Sequence, residues 1–503
     1  MRKINGKKYG VCGGKKETTD WMWLKMISPQ SIVHSPLWEI RMIEDRIKNR
    51  QAKIGVIGLG YVGLPLAVHF ARNGYEVLGF DIKRERVNLV NQGKSYIRDA
   101  KQSELNRLVK LKKISATGDY NRVPECDVIQ ICVPTPVNIN KEPDVSYIVG
   151  TTEEISKRLR KGQLIILKST TFPKTTEGVM LPILERSGLH IGKDFFLAFS
   201  PERIDPGNKE FTLENTPTVV GGVTSRCTKL AVLLYKNADS NVISVRSPAV
   251  AELTKLIENT FRNVNIALMN ELAQLCERMH INIWEAIDAA STKPFGFMPF
   301  YPGPGVGGHC IPIDPYYLSW KAREYDFHTS FIELSAKVNE DMPYYIAKKV
   351  VESLSKAGVC PSKARVLVLG VTFKKDVSDL RDSPALKIIE ILEEKVGKVL
   401  YNDPYIENIV VHNLHYTSVS LVSYMVDESP RSHQVSSRVD ESPRSHQKTD
   451  VLRNIDCVLI ATDHSAYDYK KIVKNTKLVI DARNATKSVP DGLKGGSIVK
   501  LGC

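Results

Sequence analysis

A glycine fingerprint near residue 60 constrains the fold of this chain more than any other feature of its sequence. Residues 53–58 have the composition of a short buried strand, and Gly58, Gly60 and Gly63 follow with GxGxxG spacing before an apolar helical run. Between a strand and a helix, such glycines allow a tight turn and let a pyrophosphate approach the helix N-terminus. The segment therefore predicts a dinucleotide-binding domain.

The identity of the dinucleotide depends on an acidic residue downstream of the fingerprint. Asp81 ends the next predicted strand. Its carboxylate is placed to accept hydrogen bonds from ribose hydroxyls and to repel a 2′-phosphate, which favours NAD over NADP. Lys83, Arg84 and Arg86 leave NADP open as an alternative, because arginines at this position can receive a 2′-phosphate.

Strand-like and helix-like segments alternate along most of the chain, which predicts an α/β fold with doubly wound parallel sheets. Further strands of the first sheet are expected at 127–133, 163–168, 195–199 and 218–221. A second series of strands and helices begins after Pro361, with strands expected at 366–370, 399–402, 457–461 and 478–481. There Gly370 opens Gly-Val-Thr-Phe rather than GxGxxG. We therefore expect two Rossmann-like domains, the second of which binds something other than the dinucleotide.

Apolar residues at helical spacing from Ala249 to Met279 predict a helix of about 30 residues, roughly 45 Å long. This length suits a helix that joins two domains and offers a dimerisation face. The expected domains are an NAD-binding domain at 51–247, a central helical dimerisation domain at 248–345, and a C-terminal Rossmann-like domain at 346–503.

Two segments lie outside this pattern. Residues 1–50 show no clear periodicity before about Pro36 and are expected to form a poorly ordered extension. The sequence VDESPRSHQ at 426–434 recurs unchanged at 439–447. It is polar and too short to build a core, so it predicts a solvated loop inserted at about 422–447.

Composition excludes several classes of protein. The net charge of +14 suggests nucleic acid, but residues 1–50 supply +6 of it and no nucleic-acid module is visible. No stretch has the apolar length of a signal sequence or a membrane span, so we expect a cytoplasmic protein with no membrane partner. The nine cysteines are far apart and form no CxxC pair, which argues against a disulfide framework and a structural zinc site. We expect no metal.

Cys310, in Gly-Gly-His-Cys-Ile-Pro-Ile-Asp, is the candidate for covalent chemistry. A dehydrogenase that carries an alcohol to an acid can use a thiol, because a thiohemiacetal offers a second hydride and the resulting thioester can be hydrolysed. The alternative is a buried, inert cysteine, which is the commoner case.

Other polar residues are expected near this thiol. Thr170 and Glu202 follow two predicted parallel strands, whose carboxyl ends face the ligand crevice of such sheets, although a helix cap or a turn explains each equally well. Lys255 and Asn259 lie one helical turn apart and share a face, but Lys255 is equally consistent with a solvated position. Asp314 alternatively caps the helix that begins near Pro315.

Together these residues match a family pattern. GLGYVGLP, CVPTP, STT-P, SPERIDPG, the Lys255–Asn259 pair, GPGVGGHCIPIDP and FKKDVSDLRDSP occur in that order. From about Lys53 to Leu501, apart from the repeat insertion, the chain resembles the UDP-glucose/UDP-N-acetyl-sugar 6-dehydrogenases. Its SPERIDPG and FYPGPG segments look most like the UDP-N-acetylglucosamine 6-dehydrogenases of surface-polysaccharide synthesis.

The resemblance implies that the C-terminal domain at 346–503 binds the UDP-sugar. It also implies roles for individual residues, with Cys310 as the nucleophile. The implied catalytic residues are Cys310, Lys255, Asn259, Asp314, Glu202 and Thr170. The implied cofactor contacts are Gly58, Gly60, Val62, Gly63, Asp81, Arg86, Thr135, Thr170 and Arg381. The implied substrate contacts are Glu202, Arg203, Lys255, Asn259, Phe300, Tyr301, Gly303, Gly307 and Lys374.

The activity implied by the resemblance is the NAD-dependent, four-electron oxidation of the C6 hydroxyl of a UDP-N-acetylhexosamine to a carboxylate. UDP-N-acetylglucosamine is the expected substrate, with UDP-glucose and UDP-N-acetylmannosamine as alternatives. A catalytically silent regulator that binds NAD and a nucleotide is a more distant alternative. We expect a homodimer or a larger homo-oligomer.

Overall fold

The protein is described by a computed structural model. It covers residues 36–97, 99–138, 140–204, 210–211, 215–238, 241–426, 451–490 and 496–503. The first 35 residues and all of the predicted repeat insertion beyond Val426 lie outside the described residues.

The first sheet has eight strands in the order β3-β2-β1-β4-β5-β6-β7-β8. These strands are β1 (Lys53–Ile57), β2 (Glu76–Phe80), β3 (Ile114–Thr117), β4 (Val128–Ile131), β5 (Leu164–Leu167), β6 (Phe196–Phe199), β7 (Thr218–Gly222) and β8 (Val242–Val245). The order of the first six is that of a dinucleotide-binding Rossmann sheet, which confirms the predicted fold class. The sheet departs from the all-parallel expectation at one place, because β6 and β7 pair antiparallel.

Strand order places the ligand crevice of this sheet between β1 and β4. The strand β1 pairs with β2 on one side, with Ile54 opposite Val77, and with β4 on the other side, with Ile54 opposite Val128. The chain therefore reverses its direction of winding at β1, and ligands of open α/β sheets bind at the carboxyl ends of strands at such a switch point. All four residues of β4 and of β5 are buried, as expected where helices cover both faces.

The second sheet is a separate five-stranded parallel sheet in the order β10-β9-β13-β14-β15. Its strands are β9 (Arg365–Leu369), β10 (Lys398–Asn402), β13 (Cys457–Ile460), β14 (Leu478–Asp481) and β15 (Ser497–Lys500). A small antiparallel hairpin, β11 (Asn408–Val411) and β12 (Leu414–Thr417), lies beside it. This order is the other common doubly wound arrangement, with its switch point between β9 and β13.

Helices pack on the sheets and join them. They are Pro36–Lys48, Gly63–Arg72, Arg84–Asn91, Gln102–Lys110, Ser146–Ser156, Leu181–Glu185, Ser225–Asn237, Pro248–Met279, Ile283–Ala290, Asp314–Ala322, Ser330–Lys356, Pro384–Glu393 and Tyr469–Lys474.

The long helix, Pro248–Met279, confirms the helix predicted at 249–279. Ser247 caps its start by accepting a hydrogen bond from the backbone N–H of Val250, and Pro248 occupies its first turn. It ends at His280, which has a left-handed backbone conformation. The second long helix, Ser330–Lys356, packs along it, so that two long helices separate the two sheets.

Two details of the predicted domain limits need correction. The part of the chain that carries the eight-stranded sheet is called the first unit, and the part that carries the five-stranded sheet the second unit. Residues 36–48 form a helix rather than a poorly ordered segment, and this helix buries Ile43 and Ile47 in the core of the first unit. The carbonyl of Ile47 accepts a hydrogen bond from the Tyr75 hydroxyl over 3.0 Å. The second long helix also continues past residue 345, the predicted limit of the central domain, to Lys356.

Within the described ranges, no helix combines the length and the apolar character that a membrane crossing requires.

Candidate active site

The glycine loop after β1 has the geometry of a pyrophosphate cradle. Gly58 has a φ of +90°, and a Cβ there would lie 2.6 Å from the carbonyl oxygen of Cys132. A Cβ at Gly63 would lie 1.8 Å from the carbonyl oxygen of Gly58, so the helix start packs directly on the strand end. A Cβ at Gly60 would meet open space. The loop is thus closed where strand meets helix and open where a pyrophosphate would approach, as an NAD site requires.

Asp81 lies buried at the end of β2, beside this loop. Its Oδ2 accepts hydrogen bonds from the Leu59 backbone over 2.9 Å and from Arg86 Nη1 over 3.2 Å. Its Oδ1 accepts from the Lys83 backbone over 2.8 Å. Because Arg86 is paired with Asp81, this arginine is not free to hold a 2′-phosphate, and the arrangement fits NAD.

Two further predicted cofactor residues flank the crevice. Val62 directly precedes the helix that begins at Gly63. Thr135 is buried in the loop after β4, and its carbonyl oxygen accepts a hydrogen bond from the buried hydroxyl of Tyr317. Tyr317 lies on the helix Asp314–Ala322, so this contact ties the dinucleotide crevice to the segment that carries Cys310.

The long helix presents a buried polar face to that segment. Lys255 and Asn259 are both buried, in agreement with their predicted shared face. Asn259 Nδ2 donates to Asp314 Oδ2 over 2.5 Å, which makes Asp314 more than a helix cap. Burial raises the pKa of Asp314 to about 6, although the charge of Lys255 and the hydrogen bond from Asn259 act in the opposite direction.

Cys310 lies in a turn, and its own carbonyl oxygen accepts hydrogen bonds from the backbone N–H groups of Ile313 and Asp314. Its side chain is exposed, although the surrounding protein partly shields the sulfur from water. This shielding and the charge of Asp314 raise the pKa of the Cys310 thiol to about 11, whereas Lys255 and two arginines favour the thiolate. The thiol is therefore protonated at neutral pH and lies in the field of an adjacent lysine.

A set of buried amides that was not predicted from the sequence fixes the Cys310 segment. Asn263, one turn beyond Asn259, donates to the carbonyl of Ile311 over 2.9 Å. Asn270 accepts from the backbone of Gly303 over 2.9 Å. Asn339 of the second long helix joins the two, since it donates to Asn263 Oδ1 over 2.6 Å and accepts from Asn270 over 2.9 Å. The only signal in the sequence is the 4- and 7-residue spacing of asparagines along one helix face.

Glu202 follows β6 and is held on both sides of its carboxylate. Oε1 accepts from the backbone of Arg203 and Ile204 over 2.9 and 3.0 Å. Oε2 lies 3.6 Å from Nζ of Lys168, a residue that sequence analysis did not select. Arg203 in turn forms a 2.7 Å ion pair with Glu258 of the long helix.

Thr170 lies three residues after β5. Contact of Thr170 and Glu202 with the Cys310 thiol stays a prediction.

The second unit reaches into the same cleft through Arg381. Its guanidinium lies 4.6 Å from the centre of the Tyr61 ring in the glycine loop, and it pairs with Asp379 over 2.6 Å. Its carbonyl accepts a hydrogen bond from Gly308, two residues before Cys310. The predicted cofactor residue Arg381 thus links the glycine loop to the Cys310 segment. Lys374, a predicted substrate contact, lies in the loop after β9 at the switch point of the second sheet.

The remaining predicted substrate residues form the loop that precedes Cys310. Phe300 packs edge-on against Phe261 of the long helix, and Tyr301 stacks on Trp284 at an interplanar angle of 13°. Gly307 is closely packed, since a Cβ there would lie 2.7 Å from the carbonyl oxygen of Asp382.

Gly303, in the same loop, packs against Arg483, a residue that was not predicted from the sequence. A Cβ on Gly303 would lie 2.7 Å from a guanidinium nitrogen of Arg483, which follows β14. Burial lowers the pKa of Arg483. In the sequence, the signal that could have pointed to Arg483 is its position two residues after a predicted parallel strand.

Comparison with protein families matches three successive parts of the chain to one family. The model for the NAD binding domain of the UDP-glucose/GDP-mannose dehydrogenase family matches residues 52–239. The model for its central domain matches residues 249–341, and the model for its UDP binding domain matches residues 367–488.

Individual relatives are similar over most of the chain. A UDP-N-acetyl-D-glucosamine 6-dehydrogenase from Pseudomonas aeruginosa is 39% identical over 359 residues, which is 71% of this chain and 84% of that protein. A UDP-N-acetyl-D-mannosamine dehydrogenase from Pyrococcus horikoshii is 35% identical over 446 residues, 88% of this chain and 97% of that protein. A solved structure of UDP-D-ManNAc dehydrogenase from Pyrococcus horikoshii superposes with a TM-score of 0.76 at 34% identity, covering 90% of this chain and 99% of that one.

Proposed function

The chain belongs to the UDP-glucose/GDP-mannose dehydrogenase family and is an NAD-dependent UDP-sugar dehydrogenase, and from that premise we propose that it oxidises the C6 hydroxyl of a UDP-N-acetylhexosamine to the carboxylate. One observation carries this proposal. The Cys310 segment lies between the long helix, which contributes Lys255 and Asn259, and the second unit, which contributes Arg381.

The overall reaction requires a covalent stage on the protein. An alcohol, two NAD⁺ and one water give a carboxylate, two NADH and three protons, and NAD supplies the hydride acceptor of each oxidation. Cys310 sulfur adds to the C6 aldehyde to form a thiohemiacetal, and the thioester left by the second oxidation is hydrolysed to the acid and the free thiol.

The buried polar face of the long helix serves the addition to the aldehyde. Lys255 and Asn259 lie in a shielded cleft, where a cation and an amide N–H stabilise a developing oxyanion more than they would in water. Asp314, whose pKa is raised to about 6, is suited to take up and release a proton near neutral pH. Glu202 and Thr170 are assigned to the water that cleaves the thioester.

UDP-N-acetylglucosamine is the proposed substrate. Support comes from the likeness of the segments at 200–208 and 300–308 to enzymes that act on this sugar, and from the relative that is 39% identical. UDP-N-acetylmannosamine is the second candidate, because a relative named for that sugar matches over 97% of its own length. A site built to hydrogen-bond an acetamido group rejects a sugar without one, so UDP-glucose ranks third.

Competition between UDP-sugars tests this assignment. UDP-N-acetylglucosamine, UDP-N-acetylmannosamine and UDP-glucose are supplied together at equal concentration with NAD, and the acids are separated and quantified. We expect the acid of N-acetylglucosamine to predominate. A higher kcat/KM for either of the other sugars would reassign the substrate and leave the mechanism unchanged.

We further propose a cytoplasmic homodimer that is formed through the long helix. The exposed stripe, defined as Ile257, Phe261, Leu268 and Leu275, shows about half of each side chain to solvent. Three of its members are spaced by seven residues, the repeat with which two helices pack against each other. An apolar row of this length is typical of a surface that a second copy covers.

A further inference from the structure

Lys168 is a buried lysine at the end of β5 to which no role has been assigned so far. Its side chain is 3% exposed, and Nζ lies 3.6 Å from Glu202 Oε2 and 3.4 Å from the carbonyl oxygen of Pro201. An ammonium group that is removed from water requires such partners, because its desolvation is costly.

The surroundings of Lys168 keep it charged. Burial alone would lower the pKa of Lys168, but Tyr235, whose ring centre lies 5.4 Å from Nζ, and Glu202 more than offset this effect. The pKa of Lys168 therefore stays above its ordinary value. A positive charge thus lies beside Oε2 of the Glu202 carboxylate, whereas two backbone N–H groups donate to Oε1.

These contacts restrict how the Glu202 carboxylate can turn. Oε1 accepts hydrogen bonds from two backbone donors and Oε2 forms an ion pair with Lys168, while 17% of the side chain stays exposed. A carboxylate that is locked on two sides and open on a third has the arrangement of an oriented proton acceptor.

We propose that Lys168 is a positioning residue for thioester hydrolysis, which orients Glu202 to accept the proton of the attacking water. This inference rests on the proposed function, since it takes Cys310 as the site of the thioester. In this step the water oxygen bonds to the thioester carbon and the C–S bond breaks. The water proton passes to Glu202, and Cys310 leaves as a thiolate that is then protonated. Nothing is oxidised or reduced.

The test is a Lys168→Met variant studied by rapid-quench kinetics with NADH absorbance. Both oxidations precede hydrolysis, so we expect the initial burst of NADH to keep its rate within about threefold. Steady-state turnover should fall by about tenfold to a hundredfold, within the range that a general base contributes. Mass spectrometry of the quenched protein should show the sugar acyl group accumulating on the Cys310 peptide.

Matched variants separate positioning from folding. Lys161→Met removes an exposed lysine that is paired with Asp194 near the opposite end of β5, and should change neither phase. Lys168→Arg keeps the charge and should restore most of the turnover. Where Lys168→Met does not fold, Lys168→Gln takes its place and the same outcomes decide.

A mutant cycle with Glu202→Gln decides whether Lys168 acts through Glu202. If it does, Lys168→Met should slow hydrolysis no further in the Glu202→Gln background. The same additional loss in both backgrounds, or an equal loss of burst and steady state, would overturn the inference. A wild-type protein that forms no acyl adduct and yields one NADH per sugar would instead refute the proposed function itself.

Discussion

Asn259 donates a 2.5 Å hydrogen bond to Asp314, which joins the long helix to the residue four positions after Cys310. The same carboxylate raises the pKa of the Cys310 thiol, while Lys255, on the same face of the helix as Asn259, lowers it. The Cys310 thiol thus lies near a negative charge on Asp314 and a positive charge on Lys255. Its reactivity should therefore respond in opposite directions to the loss of either charge.

Thiol reactivity tests this balance directly. At pH 8, Lys255→Met should slow the alkylation of Cys310 by iodoacetamide about two- to tenfold, and Asp314→Asn should speed it by a similar factor, because each pKa unit changes the thiolate fraction tenfold. Mass spectrometry of the Cys310 peptide gives the rates. Cys360, an exposed cysteine in the second unit, is the internal control. Changes of the same sign in both variants would contradict the assigned electrostatics.

The stability of the protein should depend on pH through Asp314. Its pKa of about 6 lies above the usual 3.8, so the folded protein binds this proton more tightly than the unfolded chain does. The contribution of the protonated carboxyl to stability is therefore complete below about pH 4 and is lost as the pH rises through 6. Asp314→Asn should leave Tm little changed at pH 4.5 and raise it relative to the wild type by pH 7.5.

Thermal unfolding across this pH range, followed by circular dichroism, provides the measurement. Asp119→Asn is the matched control, because Asp119 is an exposed cap and asparagine caps equally well. Parallel curves for Asp314→Asn and the wild type would show that Asp314 has the same pKa in the folded and unfolded states.

Cofactor preference should depend on Asp81. Asp81→Ala removes a ribose acceptor and releases Arg86 from its 3.2 Å pairing, so NAD binding should weaken about tenfold while NADP binding changes less or improves. Calorimetric titration with each dinucleotide gives the ratio of the two dissociation constants. An unchanged ratio would mean that Asp81 does not contact the ribose.

The proposed homodimer should fail when the exposed stripe carries a charge. Leu268→Glu places a carboxylate in the middle of the stripe, and sedimentation equilibrium should then report a monomer at micromolar concentration. Leu111→Glu alters a leucine of comparable exposure in the first unit and should leave the assembly intact. A Leu268→Glu protein with the wild-type mass would exclude the stripe as the interface.

The interior strands of both sheets and the edge strand β10 were predictable from the sequence, but β3, β8 and β15 were not. Each of these is an edge strand, and each exposes at least part of its length to solvent. An edge strand needs no continuous apolar run, so its sequence resembles that of a loop. The glycine fingerprint was recognisable because steric contact dictates Gly58 and Gly63 whatever lies around them.

The residues of the candidate site likewise divide into those that the sequence predicts and those that it does not. Cys310, Lys255 and Asn259 were predictable from residue type and helical spacing. The amides of Asn263, Asn270 and Asn339 were not, because only the packing of two long helices decides that these side chains are buried. Lys168 was missed because a lysine at a strand end is usually solvated, and its burial depends on Tyr235 and Glu202, which are distant in sequence.

The most direct test of the account counts NADH per UDP-sugar. With limiting UDP-N-acetylglucosamine and excess NAD, the wild-type protein should produce two NADH for each sugar consumed, with the C6 acid as the product. Cys310→Ser should retain NAD binding but form almost no acid, since a hydroxyl is far harder to activate than a thiol. One NADH per sugar from the wild type, or undiminished acid from Cys310→Ser, would contradict a two-step oxidation through Cys310.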